Sequence, residues 1–230
     1  MLSAMLAIGC GSGEESEDNP TPPDDEETQS LVKWPGAPIE IGETRIESRP
    51  LRNTTAPEAE ADYYVTTLLT VTGKLEIMPG VTVMFAQDAG ISTEPDSGFF
   101  AKGTAEHPIL FTGREKTHGY WQGVAVASNM TNVMSHTTIE FAGSQPIGGL
   151  ITYFQGGLTV GDSLGNTGKL AITDCTFRDN MGYGTLALNA DLEGFARNTF
   201  DRAKPRSAYN PQPKASHSHG LGFSISGTER

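Results

Sequence analysis

The chain has 230 residues with 28 acidic and 16 basic side chains, which gives a formal net charge of −12. Its 27 Gly and 14 Pro exceed average usage, and its 19% of charged residues lies below the usual value of about 25%. This composition excludes a coiled coil, a disulfide-rich scaffold and a basic nucleic-acid-binding domain, and it suits a β protein punctuated by glycine.

The first ten residues, MLSAMLAIGC, form an apolar stretch that ends in a small residue and a cysteine. Ala7, Ile8, Gly9 and Cys10 resemble the lipobox that ends a bacterial lipoprotein signal. The resemblance implies that the Cys10 thiol takes a diacylglycerol group and becomes the lipidated N-terminus of the mature protein. We therefore expect an extracytoplasmic, membrane-anchored lipoprotein, either periplasmic or on the cell surface.

The next segment is strongly acidic, because residues 14–27 carry eight acids and three prolines but no base. Such a run cannot bury enough apolar surface to offset its ordering entropy, and self-repulsion keeps it extended. We expect residues 1–10 to be the signal and lipobox segment and residues 11–33 an acidic disordered tether. We expect residues 34–62 to be an irregular lead-in or an N-terminal cap.

The remainder, residues 63–230, consists of short segments rich in Val, Ile, Thr and Phe that alternate with period two between Gly, Asn or Pro. The predicted strands are 63–71, 74–77, 81–85, 108–112, 123–127, 137–141, 169–172, 185–188 and 222–226. No long segment carries a helical stripe of apolar residues, so we predict an all-β domain with very little helix.

A repeat is visible near the end of this domain. The segment CTFRDN (175–180) aligns with NTFDRA (198–203) at an offset of 23 residues, which places Phe177 on Phe200. Periods of 20–50 residues indicate repeat architectures. Stacked strands lie about 4.8 Å apart, so identical aromatic side chains are expected to stack. Upstream, the spacing of Phe85, Phe111 and Phe141 predicts less regular coils.

The same offset places charges of opposite sign on each other. The predicted pairs are Asp174 with Arg197, Arg178 with Asp201, and Asp179 with Arg202. Opposite charges on neighbouring strands stabilise one register. We therefore expect these side chains to pair across adjacent coils.

Residues 73–85, GKLEIMPGVTVMF, resemble the start of a secreted parallel β-helix module, in which a Pro–Gly turn joins two strands. Residues 99–113 and 120–127 resemble its next coils. The family is the pectate-lyase-like right-handed parallel β-helix. The resemblance implies a single-stranded right-handed parallel β-helix, which we expect over residues 63–230, either complete or continuing beyond this chain. The family includes polysaccharide lyases, hydrolases and non-catalytic surface proteins, so the fold does not settle the function.

Polysaccharide cleavage requires carboxylates that converge with an acid or base. For lyases the resemblance implies a calcium site and a catalytic Arg or Lys. The candidate catalytic residues are Asp174, Arg178, Asp179 and Asp201. Because the 23-residue offset gives each of them an opposite charge, we favour a structural charge ladder. We expect no cofactor, with Ca²⁺ needed only if the protein is a lyase.

Aromatic side chains supply a second kind of candidate site. Tyr120, Trp121, Tyr153 and Phe154 are candidates for a glycan-stacking surface, and the favoured alternative is that Trp121 and Phe154 pack inside the coils. His217 and His219 have no further ligand nearby in the sequence, so we predict no metal site. Cys175 is predicted to be a buried, inert thiol.

These observations favour a lipid-anchored cell-surface β-helix protein that acts as a non-catalytic binding or structural module for glycans or surface partners. The membrane is reached through the lipid anchor, and no nucleic-acid partner is expected. The alternative is a polysaccharide lyase or glycoside hydrolase on the same fold.

Overall fold

The computed structural model of the chain describes residues 37–54, 60–147, 155–162 and 164–201. These residues fall in the compact unit Lys33–Arg230. They are nearly all strand, with almost no helix, as predicted. The predicted lipobox, the tether and the strand at 222–226 lie outside the described residues.

Seventeen strands are present in the described part of the chain. They are β1 (Ile39–Ile41), β2 (Arg45–Leu51), β3 (Tyr63–Val65), β4 (Leu68–Ile77), β5 (Thr82–Phe85), β6 (Gly90–Thr93), β7 (Gly98–Lys102), β8 (Ile109–Gly113), β9 (Gly123–Val126), β10 (Asn132–Ser135), β11 (Thr137–Glu140), β12 (Gly156–Val160), β13 (Gly168–Thr173), β14 (Thr176–Arg178), β15 (Tyr183–Ala187), β16 (Ala190–Asp191) and β17 (Thr199–Asp201).

All strand pairs are parallel, and they build two sheets. Sheet A has the order β1-β3-β5-β8-β11-β14-β17. Sheet B has the order β15-β12-β9-β6-β4-β7-β10-β13-β16, with β2 paired to β4. From β5 onward each strand pairs with the strand three positions further along the chain. We call each set of three successive strands that begins in sheet A a rung.

The long strand β4 joins the two halves of sheet B, because 68–71 pair with β6 and 74–77 pair with β7. Its other neighbour, β2, shifts register between Ile46 and Ser48. Gly73 lies opposite this irregularity, where an added Cβ would lie 1.7 Å from the Glu47 carbonyl oxygen. Only glycine permits this close approach. Strands β1 and β2 occupy the segment 34–62, where the sequence predicted a lead-in or cap.

The core of sheet A is a column of side chains that face inward from successive rungs. Its members in the described region are no more than 2% exposed, apart from the half-buried Phe200 of the last rung, and they are Tyr63, Val83, Phe111, Ile139, Phe177 and Phe200. The spacing varies from 20 residues between the first two members to 38 residues between Ile139 and Phe177. The register is therefore constant while the connections between strands vary in length, as in other repeat proteins.

The predicted 23-residue offset is confirmed, since Thr176 pairs with Thr199 and Phe177 with Phe200. The two phenylalanine rings stack with centroids 5.1 Å apart. The upstream alignment of Phe85 with Phe111 was wrong by two residues, because Phe111 pairs with Val83. Phe85 pairs with Gly113, which carries no side chain and leaves room for an indole ring from a following loop.

Tight turns between rungs place non-glycine residues in the left-handed region. His136, Asp174 and Arg197 occupy the same turn in successive rungs, with φ of 43°, 57° and 55°. The residue after Arg197, Asn198, accepts a hydrogen bond from the Cys175 amide at 2.9 Å. This side-chain bond satisfies a backbone amide at the turn and fixes two neighbouring rungs to each other.

Candidate functional site

The outward side chains of sheet A form the surface that holds most of the candidate residues. Because side chains alternate along a strand, one residue of each strand points outward in a continuous line. We call this line the outer row, and its members are Glu40, Tyr64, Met84, Thr112, Glu140, Arg178 and Asp201.

Glu140 is the centre of a charged cluster in the middle of the outer row. Its carboxylate is buried and accepts a hydrogen bond from the Thr112 hydroxyl at 2.7 Å and from the Arg178 guanidinium at 2.6 Å. Lys116 donates in turn to the Thr112 hydroxyl at 2.8 Å and to the Gly113 carbonyl at 3.1 Å. Both Glu140 oxygens are therefore committed to protein partners, which leaves this carboxylate poorly placed to exchange a proton with a substrate.

An exposed histidine adjoins this cluster. His118 Nε2 lies 3.8 Å from the Asp179 carboxylate, and the imidazole is edge-on to the Phe141 ring. Asp179 occupies a left-handed turn with φ of 52°, directly after β14. A histidine beside a carboxylate is an arrangement suited to proton transfer. The structure therefore brings Arg178 and Asp179, two of the four catalytic candidates, to one edge of sheet A.

Asp174 lies at the opposite turn of the rung, away from that edge. The Arg197 guanidinium donates from Nε and Nη2 to its two carboxylate oxygens, each at 2.6 Å. These bonds hold the pKa of the Asp174 carboxyl below its ordinary value. The His136 imidazole lies 3.9 Å from the same carboxylate. The pairing of Asp174 with Arg197 is confirmed.

The predicted partner of Arg178 was wrong. Arg178 lies next to Asp201 in the register, yet its guanidinium binds Glu140 of the preceding rung. A buried carboxylate gains more from a cation than an exposed one does, because it has lost its hydration. Asp201 is exposed at the end of the described sheet, and Arg202 lies outside the described residues.

The aromatic candidates divide between core and surface. Trp121 is fully buried, stacks on Phe85 with centroids 3.9 Å apart, and donates its indole N–H to the Glu140 carbonyl at 2.8 Å. It fills the space left by Gly113 and presents no face to a glycan. Tyr120 is half-buried beside it. Tyr153 and Phe154 lie outside the described residues.

Sequence reasoning missed a groove at the β1–β5 end of the outer row. Its volume is about 400 Å³, and its apolar lining consists of Ala37, Pro38, Tyr64 and Met84. Its charged lining consists of Glu40, Glu60 and Arg114. Tyr64 belongs to a predicted strand, but alternation alone does not say which neighbours of a strand residue assemble on one face.

Arg114 fixes one side of this groove. Its guanidinium lies 5.6 Å from the centre of the Tyr64 ring and donates to the Tyr64 hydroxyl at 3.4 Å. Its backbone amide is held by the Phe85 carbonyl at 2.8 Å. Neither Glu40 nor Glu60 forms an ion pair with any base in the described residues.

The Cys175 thiol and the possible metal-ligating side chains offer no further site in the described residues. Cys175 is buried, and desolvation raises the pKa of its thiol to about 12, so it is not a nucleophile at neutral pH. Among the described residues, no three His, Cys, Asp or Glu side chains are grouped so that they could hold a metal ion. His217 and His219 lie outside those residues.

No known protein family, curated protein or solved structure matches this chain. Across the residues that the structure describes, no helix is long and apolar enough to cross a membrane.

Proposed function

We propose that this chain is a lipid-anchored cell-surface protein whose domain is a right-handed parallel β-helix that acts as a non-catalytic binding module for glycans. The parallel three-strand rungs support a β-helix of this kind. Connections between parallel strands of one sheet are right-handed in about 98% of cases, which supports the handedness. The Cys10 lipobox resemblance and the acidic segment 14–27 support the anchor and its spacer.

The observation that carries the non-catalytic assignment is the pairing of the acids near the candidate residues. Asp174 is held by two nitrogens of one arginine, and Glu140 has both oxygens occupied. A catalytic carboxylate must reach its substrate and change protonation there. These two carboxylates instead hold adjacent rungs in register.

The anchor is tested by replacing Cys10 with Ser and separating membrane from soluble fractions. Cys175→Ala is the matched control, because the chain has only these two cysteines. We expect Cys10→Ser to release the protein from membranes and Cys175→Ala to leave it there. Equal membrane retention of both variants would contradict lipidation.

The binding activity is tested by applying the full chain to an array of neutral and acidic glycans, together with a depolymerisation screen with and without Ca²⁺. We expect retention on at least one glycan class and no product. Robust turnover would overturn the non-catalytic proposal, and absence of retention on every glycan would overturn the glycan ligand.

The second candidate is a polysaccharide lyase or glycoside hydrolase, and it is favoured by the exposed His118 beside the half-buried Asp179 carboxylate. If that screen shows turnover, His118→Asn and Asp179→Asn should each abolish it. Asp174→Asn is the control, since this carboxylate lies at the other turn and is bound by Arg197. Turnover that depends on Asp174 and not on His118 would place the site elsewhere.

A further inference from the structure

We infer that the groove lined by Tyr64 and Arg114 is a subsite for one end of a neutral oligosaccharide, and that it selects against uronic acids. This inference rests on the proposed glycan-binding function and names the ligand class and the residues. The groove lies at the β1–β5 end of the outer row, separate from the Glu140 cluster.

The size of the groove fits one or two sugar rings. Its volume of about 400 Å³ lies near the lower end of the range for small-molecule pockets, about 300–1,000 Å³. Such pockets combine an apolar lining with a few placed polar groups. Here the apolar lining comes from Pro38, Tyr64 and Met84, and the polar groups from Glu40, Glu60 and Arg114.

The chemistry of the lining matches a pyranose ring. A sugar ring has an apolar C–H face, which packs on an aromatic side chain, and a rim of hydroxyl groups that both donate and accept hydrogen bonds. Tyr64 supplies the aromatic side chain, through the part of its ring that the Arg114 guanidinium does not cover. Glu40 and Glu60 supply acceptors, and Arg114 supplies donors.

The polar groups are available for a ligand. Glu40 and Glu60 are exposed, and no ion pair engages either of them among the described residues. In the described part of the chain, the Arg114 guanidinium makes one side-chain hydrogen bond, a long 3.4 Å contact with the Tyr64 hydroxyl. Arg114 is therefore held less tightly than Arg178, whose guanidinium donates to a buried carboxylate at 2.6 Å.

The charge balance of the groove predicts its selectivity. Two carboxylates face one guanidinium, so the lining carries a net charge of about −1 at neutral pH. A uronic acid brings a further negative charge next to Glu40 and Glu60, and like charges repel. A neutral sugar avoids that repulsion while using the same hydrogen bonds. The groove therefore discriminates by repulsion as well as by attraction.

The test uses the full 230-residue chain and three probes: cellobiose and maltose as neutral disaccharides, and digalacturonic acid as the anionic one. Affinities are measured by calorimetry, and ligand protons near the protein by saturation-transfer NMR. We expect at least one neutral disaccharide to bind, with digalacturonic acid weaker by about tenfold or more. Glu40→Gln combined with Glu60→Gln should reduce that preference.

Variants of Tyr64 locate the subsite. Tyr64→Ala should weaken the neutral disaccharide by about tenfold, whereas Tyr64→Phe, which keeps the ring, should change affinity by about threefold or less. Phe100→Ala is the matched control, because Phe100 is a partly exposed aromatic on sheet B between Lys74 and Lys102. Circular dichroism and urea midpoints establish that each variant is folded.

Four results would overturn the inference, and they separate it from the broader proposal. Neutral binding that is unchanged in Tyr64→Ala places the glycan elsewhere on the protein and leaves glycan binding intact. Stronger binding of digalacturonic acid than of both neutral disaccharides refutes the selectivity. Absence of binding to these probes, when the glycan array shows retention of another class, refutes the ligand class; absence on the array as well refutes the proposed function.

Discussion

In the middle of the outer row, the Glu140 carboxylate is buried and bound by Thr112 and Arg178, whereas at the β1–β5 end Glu40 and Glu60 are exposed. Both regions stand on the same sheet, in the same register, and contain acids beside a base. The difference lies in burial: a desolvated charge must be paired by the protein, and an exposed one is free to meet a ligand. The Glu140 cluster therefore stabilises the rungs, and the groove at the β1–β5 end leaves its acids accessible to a ligand.

Replacing the aromatic residues of the two regions should give the largest difference in the free energy of unfolding. Trp121→Ala should lower the free energy of unfolding by about 4 kcal/mol, because it removes a fully buried ring that stacks on Phe85. Tyr64→Ala should cost less, about 1 kcal/mol, because the Tyr64 ring is only half-buried. Urea unfolding measures both, and equal losses would mean that Tyr64 is part of the core.

Replacing a buried-pair arginine and a surface-pair arginine should give the next largest difference in the free energy of unfolding. Arg178→Met should cost about 3 kcal/mol, the lower end of the range for breaking a buried pair, because the arginine itself is partly exposed. Arg45→Met is the control, since Arg45 pairs with Glu94 on the surface and such pairs contribute about 0–1 kcal/mol. If the two variants are equally stable, the Glu140 pair is not the structural element we describe.

A smaller difference in the free energy of unfolding is expected for two basic residues of the loop between β8 and β9. Lys116→Met should cost about 1 kcal/mol, because it removes hydrogen bonds to Thr112 and Gly113. Arg114→Met should stay within about 0.5 kcal/mol, since its contact with Tyr64 is long and exposed. The reverse order in urea unfolding would show that the groove, and not the cluster, fixes this loop.

The smallest effect should come from Asp174, at the turn outside the outer row. Its lowered pKa contributes stability above the ordinary carboxyl pKa of about 3.9, and that contribution is lost as the pH falls through the folded value. Arg197→Gln should therefore lower the urea midpoint slightly at pH 7, and the difference should shrink as the pH falls below about 4 and through the lowered pKa of the Asp174 carboxyl. Lys169→Gln, an exposed base on sheet B, should show no such pH dependence.

The sequence predicted the strands that carry alternating β-branched residues and the register of the last rungs, where Thr176 and Phe177 meet identical side chains. It did not predict β1, β2 or β16, and it missed β6, β7, β10 and β12 because their Gly, Ser and Asn residues also suit loops. It misplaced Phe85 because a spacing between aromatic residues includes turns whose length varies. The middle of the outer row and its β1–β5 end could not be distinguished in advance, since burial of Glu140 depends on rungs far apart in the sequence.

Each strand pairs only with strands of the adjacent rungs, so force applied along the stacking direction would act on one set of backbone bonds at a time. Single-molecule stretching should then record many small extension steps, each about one rung long, in place of the one large step of a globular domain. A protein built in this way would extend gradually under tension, while the rungs that remain folded keep their surface intact.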